Sequence, residues 1–111
     1  MIRITVYKNK RNSEIGFDTE GHSGYDEEGK DIICSAVSIL EQNLANSVSE
    51  LTDAEFRCEK DDEKGKFSFR LDNTENREAR VLLRSCILGF RWIMETYGEH
   101  YLMIKDQEAE K

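Results

Sequence analysis

The feature that most restricts this chain is a hydrophobic rhythm that switches twice from a period of two to a period of three or four. Ile2, Ile4 and Val6 share one face of an extended run, Ile2 to Tyr7; a polar turn from Lys8 to Glu14 then leads to a second short strand, Ile15 to Thr19. From Ile32 to about Leu51 the spacing is helical, with Ile33, Val37, Leu40, Leu44, Val48 and Leu51 on one face. Alternation returns in Ala54 to Lys60 and Lys66 to Asp72, two strands joined by the polar turn Asp61-Asp62-Glu63-Lys64-Gly65. A second helix, capped by Asn73 or Thr74, carries the stripe Val81, Leu82, Ser85, Leu88, Gly89, Trp92 and Ile93 and stops at Gly98. Tyr101 to Ile104 reads as a last strand before a charged, frayed tail. The order ββαββαβ predicts an α+β fold, a largely antiparallel sheet with two helices, with Phe67, Phe69 and Trp92 as core aromatics.

At 111 residues the chain fits a single domain, 1–111, large enough to bury its own core. Three cysteines, Cys34, Cys58 and Cys86, are an odd number without CxxC or zinc spacing. Neither a disulfide framework nor a metal or other cofactor is indicated, and reduced thiols are expected. No stretch approaches the roughly 18 apolar residues of a membrane span, and the alternating N-terminus is unlike a signal peptide. A cytoplasmic protein without membrane contact is the expectation. The net charge of −7 speaks against direct nucleic-acid binding and favours a basic protein or peptide as partner.

Between Gly21 and Ser38 the pattern departs from ordinary core and surface. Glu20 to Lys30 has no apolar rhythm and contains Gly21, Gly24 and Gly29, which reads as a flexible loop. Asp31 stands where a helix N-cap is favoured, which makes Cys34 the third helical residue. There the helix dipole and first-turn N–H groups favour a thiolate, and a neighbouring imidazole favours it further. His22 ends the preceding strand, and the eight residues Ser23 to Lys30 span at most about 26 Å while also being able to fold back. Each residue also has a plainer reading. A cysteine near a helix start is commonly a small buried hydrophobe, Asp31 a cap, His22 a loop histidine, and Ser38 a hydroxyl bonded to a helix carbonyl rather than to substrate. Cys58 in a strand and Cys86 in mid-helix lack an electropositive terminus and read as structural, and His100 is a weak candidate.

Two segments, Gly21-His22-Ser23-Gly24-Tyr25 and Gly29-Lys30-Asp31-Ile32-Ile33-Cys34-Ser35-Ala36-Val37-Ser38, together resemble the ribosomal-processing cysteine protease family, Prp. The resemblance implies a short bacterial endopeptidase that removes the N-terminal extension of a large-subunit ribosomal protein, cutting after paired aromatic residues. It also implies a His22–Cys34 catalytic dyad, room for the histidine loop to move at Gly21, support of the site or substrate by Asp31 and Ser38, and a homodimer. Ser23 and Ser35 stand where that family commonly has alanine. Other classes fit the same residues differently. A non-catalytic ribosome-associated module would bind an extended peptide without turning it over. A redox thiol protein lacks a resolving cysteine near Cys34, and a metal site would need two ligands beyond His22 and Cys34.

Overall fold

The computed structural model describes residues 1–21 and 32–109. Its elements are β1 (Ile2–Lys8), β2 (Glu14–Glu20), α1 (Ile32–Leu51), β3 (Phe56–Asp61), β4 (Lys66–Leu71), α2 (Arg77–Tyr97) and β5 (Leu102–Glu108). The order is the expected ββαββαβ. Five strands form one sheet in the order β3-β4-β2-β1-β5. Three neighbouring pairs are antiparallel and one, β1 with β5, is parallel, so the sheet is mixed although mostly antiparallel. The parallel pair follows from α2, which carries the chain from β4 back across the sheet to the far side of β1.

Alternation sets which side is buried. Ile2, Ile4 and Val6 of β1, Phe17 of β2, Phe67, Phe69 and Leu71 of β4 and Leu102 of β5 form one cluster with Ile33, Val37, Leu44 and Val48 of α1. From α2 come Ala79, Leu83, Cys86, Ile87, Phe90 and Ile93. Phe17 lies at the middle of this cluster. Its ring stacks on Phe67 and Phe69 at 5.9 and 6.2 Å and meets the edge of Phe90 at 5.0 Å, in the offset and edge-on arrangements that aromatic quadrupoles favour.

Four expectations need correction. The buried stripe of α2 runs one position away from the anticipated one: of those residues Ile93 is buried, whereas Val81, Leu88 and Trp92 are exposed, Trp92 by 60%. The sequence carries two apolar stripes on this helix, and the one holding Leu83, Ile87 and Phe90 meets the sheet. Leu51, at the end of α1, is exposed as well. The cap of α2 is Asn76, whose side chain accepts from Ala79 N–H, while Asn73 bonds Glu75 N–H in the preceding turn. The charged tail is also not frayed through residue 108: Lys105 to Glu108 continue β5 against β1, and Ala109 N–H donates to the Lys8 carbonyl. An edge strand needs only one hydrogen-bonded neighbour, so polar side chains on it cost little.

Removing the Phe17 ring leaves a cavity beside Phe67, Phe69 and Phe90. Phe17→Ala is expected to destabilise the fold by about 3–5 kcal/mol, measurable as a lowered urea midpoint with an unchanged m-value.

Candidate active site

Cys34 is the third residue of α1 and is half-buried. It occupies the first turn, where helix geometry presents N–H groups and favours an anion. Ser38 follows one turn later, exposed, and Glu41 nearly one turn beyond that, buried. Gly21 closes β2 at φ 94° and donates its N–H to the Gly65 carbonyl at 3.1 Å. A side chain there meets the Met1 carbonyl oxygen at 2.5 Å, so the position requires glycine on both conformational and steric grounds. His22 and Asp31 lie outside the described residues.

Cys34, Ser38, Glu41 and Gly21 line one cavity of about 170 Å³ between α1 and the sheet. Ile2, Thr19, Val37 and Phe67 supply further walls, and Lys60, Asp61, Asp62 and Lys66 from the β3–β4 hairpin surround it with charge. The structure thus brings together three of the five anticipated site residues. A larger cavity, about 700 Å³, runs along the strands and involves Arg3, Tyr7, Asp18 and Ser68; among the described residues that line it there is no thiol or imidazole. Among the described residues no group of three or more His, Cys, Asp or Glu is placed to hold a metal.

Glu41 and Thr19 were not anticipated as part of the site. The Thr19 hydroxyl donates to Glu41 Oε2 at 2.5 Å, a short charge-assisted bond that ties β2 to α1. Burial pushes the Glu41 carboxyl up to about 7, opposed by the Thr19 bond and by Lys60. The sequence does carry a signal for it. Glu41 falls in phase with Ile33, Val37, Leu44 and Val48, and an acidic residue inside an apolar stripe is seldom buried without a purpose.

The other thiols differ from Cys34. Cys86 is buried, donates weakly to the Leu40 carbonyl, and has its pKa raised by burial and by Glu41. Cys58 is exposed on β3, and partial desolvation followed by Glu41 also pushes its thiol up. Both are poor nucleophiles on this account.

Comparison with known proteins places the chain among the cysteine proteases. The family model described as cysteine protease Prp matches residues 1–102, and the chain belongs to that family. It is an enzyme of the cysteine protease class. The ribosomal processing cysteine protease Prp of Staphylococcus aureus strain Mu50 is 28% identical over 100 residues, covering 90% of this chain and 94% of that protein. The Bacillus subtilis strain 168 protein of the same name is 26% identical over 101 residues, 91% and 90% of the two chains. Among solved structures, the S. aureus protease with a covalently linked product peptide superposes with a TM-score of 0.90 at 25% identity, covering 96% of this chain and all of the other. SMU.848 from Streptococcus mutans gives 0.82 at 25% identity, covering 98% and 99%.

The raised Glu41 carboxyl has a consequence for stability. The unfolded chain releases this proton near 4.5 and the folded chain near 7, so folding becomes less favourable as pH rises between those values. The loss amounts to about 3 kcal/mol at most. Urea titrations at pH 5 and pH 8 are expected to show this fall in the wild type, and Glu41→Gln is expected to remove most of it.

Proposed function

We propose that the chain acts as a single-domain cytoplasmic endopeptidase that removes the N-terminal extension of a large-subunit ribosomal protein, with Cys34 as nucleophile and His22 as general acid and base. The observation that carries this reading is the position of Cys34, in the first turn of α1 on the wall of a cavity, within a chain of the Prp family. The relatives named as ribosomal processing proteases, one of them solved with a linked product peptide, support the substrate class.

The chemistry proceeds in two stages. The Cys34 thiolate attacks the scissile carbonyl, and N–H groups of the helix start stabilise the oxyanion that forms. The His22 imidazolium gives its proton to the leaving amine as the C–N bond breaks, leaving a thioester on Cys34. Neutral His22 then takes a proton from water, whose oxygen attacks the thioester and releases the carboxylate product and the thiol. Gly21 shapes the start of the histidine segment, while Asp31 and Ser38 support the helix start and the substrate.

This protease functions as a homodimer. Ile32, Ile39, Leu88 and Trp92 are 50–68% exposed on α1 and α2. Ile32, Ile39 and Trp92 line one shallow, largely apolar depression of about 590 Å³. An apolar patch spread over two rigid helices suits a self-complementary two-fold contact.

Two experiments test this account. Incubation with a peptide spanning the N-terminus of the organism's own ribosomal protein, read by mass spectrometry, is expected to yield two fragments; Cys34→Ser abolishes cleavage and His22→Ala lowers it by about 100-fold or more. Intact peptide with the unmodified protein, or full cleavage by Cys34→Ser, contradicts the mechanism. Light scattering after size-exclusion chromatography is expected to give twice the 12.9 kDa chain mass, and Trp92→Glu to give the monomer with unchanged circular dichroism.

A further inference from the structure

Two catalytic side chains that depart from different elements act together only while those elements keep a fixed spacing, because a misplacement of about 1 Å can lower a rate by about 100-fold. Cys34 departs from the first turn of α1, whereas His22 follows Gly21, the residue that closes β2. Each element is anchored on its own side. Gly21 N–H bonds the Gly65 carbonyl in the β3–β4 turn, and Ile33 and Val37 seat α1 in the core. Apolar burial is non-directional, whereas a hydrogen bond is bounded in both length and angle.

One such bond crosses from β2 to α1 near both residues. The Thr19 hydroxyl donates to Glu41 Oε2. Thr19 precedes Gly21 by two residues, about 7 Å of strand, and Glu41 follows Cys34 by seven, about 10 Å of helix. At 5% and 7% exposure the pair is shielded from water, which strengthens the bond and removes competing partners. Glu41 also stands between Val37 and Leu44 on the buried stripe of α1. An aliphatic side chain there would avoid the desolvation that lifts this carboxyl to about 7. Packing alone does not call for Glu41; a directional tie to Thr19 does.

We propose that Thr19 and Glu41 are positioning residues of the protease, their bond setting the spacing between the end of β2 and the first turn of α1 that lets His22 pair with Cys34. The proposal rests on the reading of those two residues as the dyad. Thr19 and Glu41 act through the spacing of two elements rather than on substrate, so their loss lowers kcat and leaves KM nearly unchanged.

The test replaces both partners by apolar groups of similar shape, Thr19→Val with Glu41→Leu, which removes donor and acceptor together and so keeps the fold stable. Alkylation of Cys34 by iodoacetamide between about pH 5 and 10, followed by mass spectrometry of its peptide, reports the ionisation of the thiol and its coupling to His22. The double variant is expected to move the Cys34 profile upward, to that of His22→Ala, and to lower kcat on a cleaved peptide about 10-fold or more at an undiminished urea midpoint. Thr19→Val alone, which leaves the helix untouched, is expected to shift the profile in the same direction. Thr19→Ser and Glu41→Gln, which retain the donor and the acceptor, are each expected to keep the wild-type profile and kcat. The direction is diagnostic, because removal of the Glu41 charge on its own favours the thiolate. A downward shift in the double variant, or a wild-type profile and kcat in it, overturns the proposal. If His22→Ala leaves the Cys34 profile unchanged, the dyad is refuted and the proposal falls with it, a result read without altering Thr19 or Glu41.

Discussion

Burial of one face of α1 in the core that it shares with α2 and the sheet is the constraint on which the site depends. Ile33, Val37, Leu44 and Val48 are each 4% exposed or less, so the rotation of the helix about its axis is fixed by close packing. Rotation fixes everything else along it. With Ile33 facing inward, Cys34 is left half-buried at the boundary, and Ser38 and Glu41 line the same cavity from successive turns. The Thr19–Glu41 bond adds a polar tie from the strand that ends at Gly21. A reactive thiol needs a rigid support on one side and access on the other, and the packed face and open first turn of α1 supply them together.

Much of this was legible from residue order. Strict alternation in Ile2–Val6 and Phe67–Leu71 identified strands, and the long three-to-four spacing identified α1 at its observed limits. The errors have separate physical origins. On α2 two apolar stripes compete, and periodicity measures amphipathicity without saying which stripe meets the sheet and which remains outside. Trp92 was assigned to the core for that reason. The extension of β5 through charged residues was hidden because pairing depends on a neighbour 100 residues away in the chain, Thr5 to Lys8 of β1. Within the site, Cys34 was visible through its helix position and the motif around it. Glu41 left a trace as well, a carboxylate in phase with the apolar stripe, but its burial is explained only once Thr19 is seen beside it.

The distribution of thiols illustrates how little the residue type alone determines. Three cysteines share one reduced chain, and their surroundings differ in every respect that matters to reactivity. Burial silences Cys86; β3 offers Cys58 exposure without electropositive help; the helix start gives Cys34 both access and a favourable field. Glu41 raises the pKa of both non-catalytic thiols while lying on the same helix as the proposed nucleophile.

The parallel pairing of β1 with β5 joins strands that lie 100 residues apart in the chain, Ile2 with Leu102 and Lys8 with Glu108. β1 is a central strand in the finished sheet, and until residues 102–108 arrive it has a bare edge. Contacts of such long sequence separation form late and slow the folding of the whole unit. Ile2 N–H also bonds the Tyr101 carbonyl, and Ile2 itself is a wall of the cavity beside Cys34. Completion of the cavity wall beside Cys34 therefore waits on the pairing of β1 with β5, so the local order of the site is tied to one of the longest-range contacts in the fold.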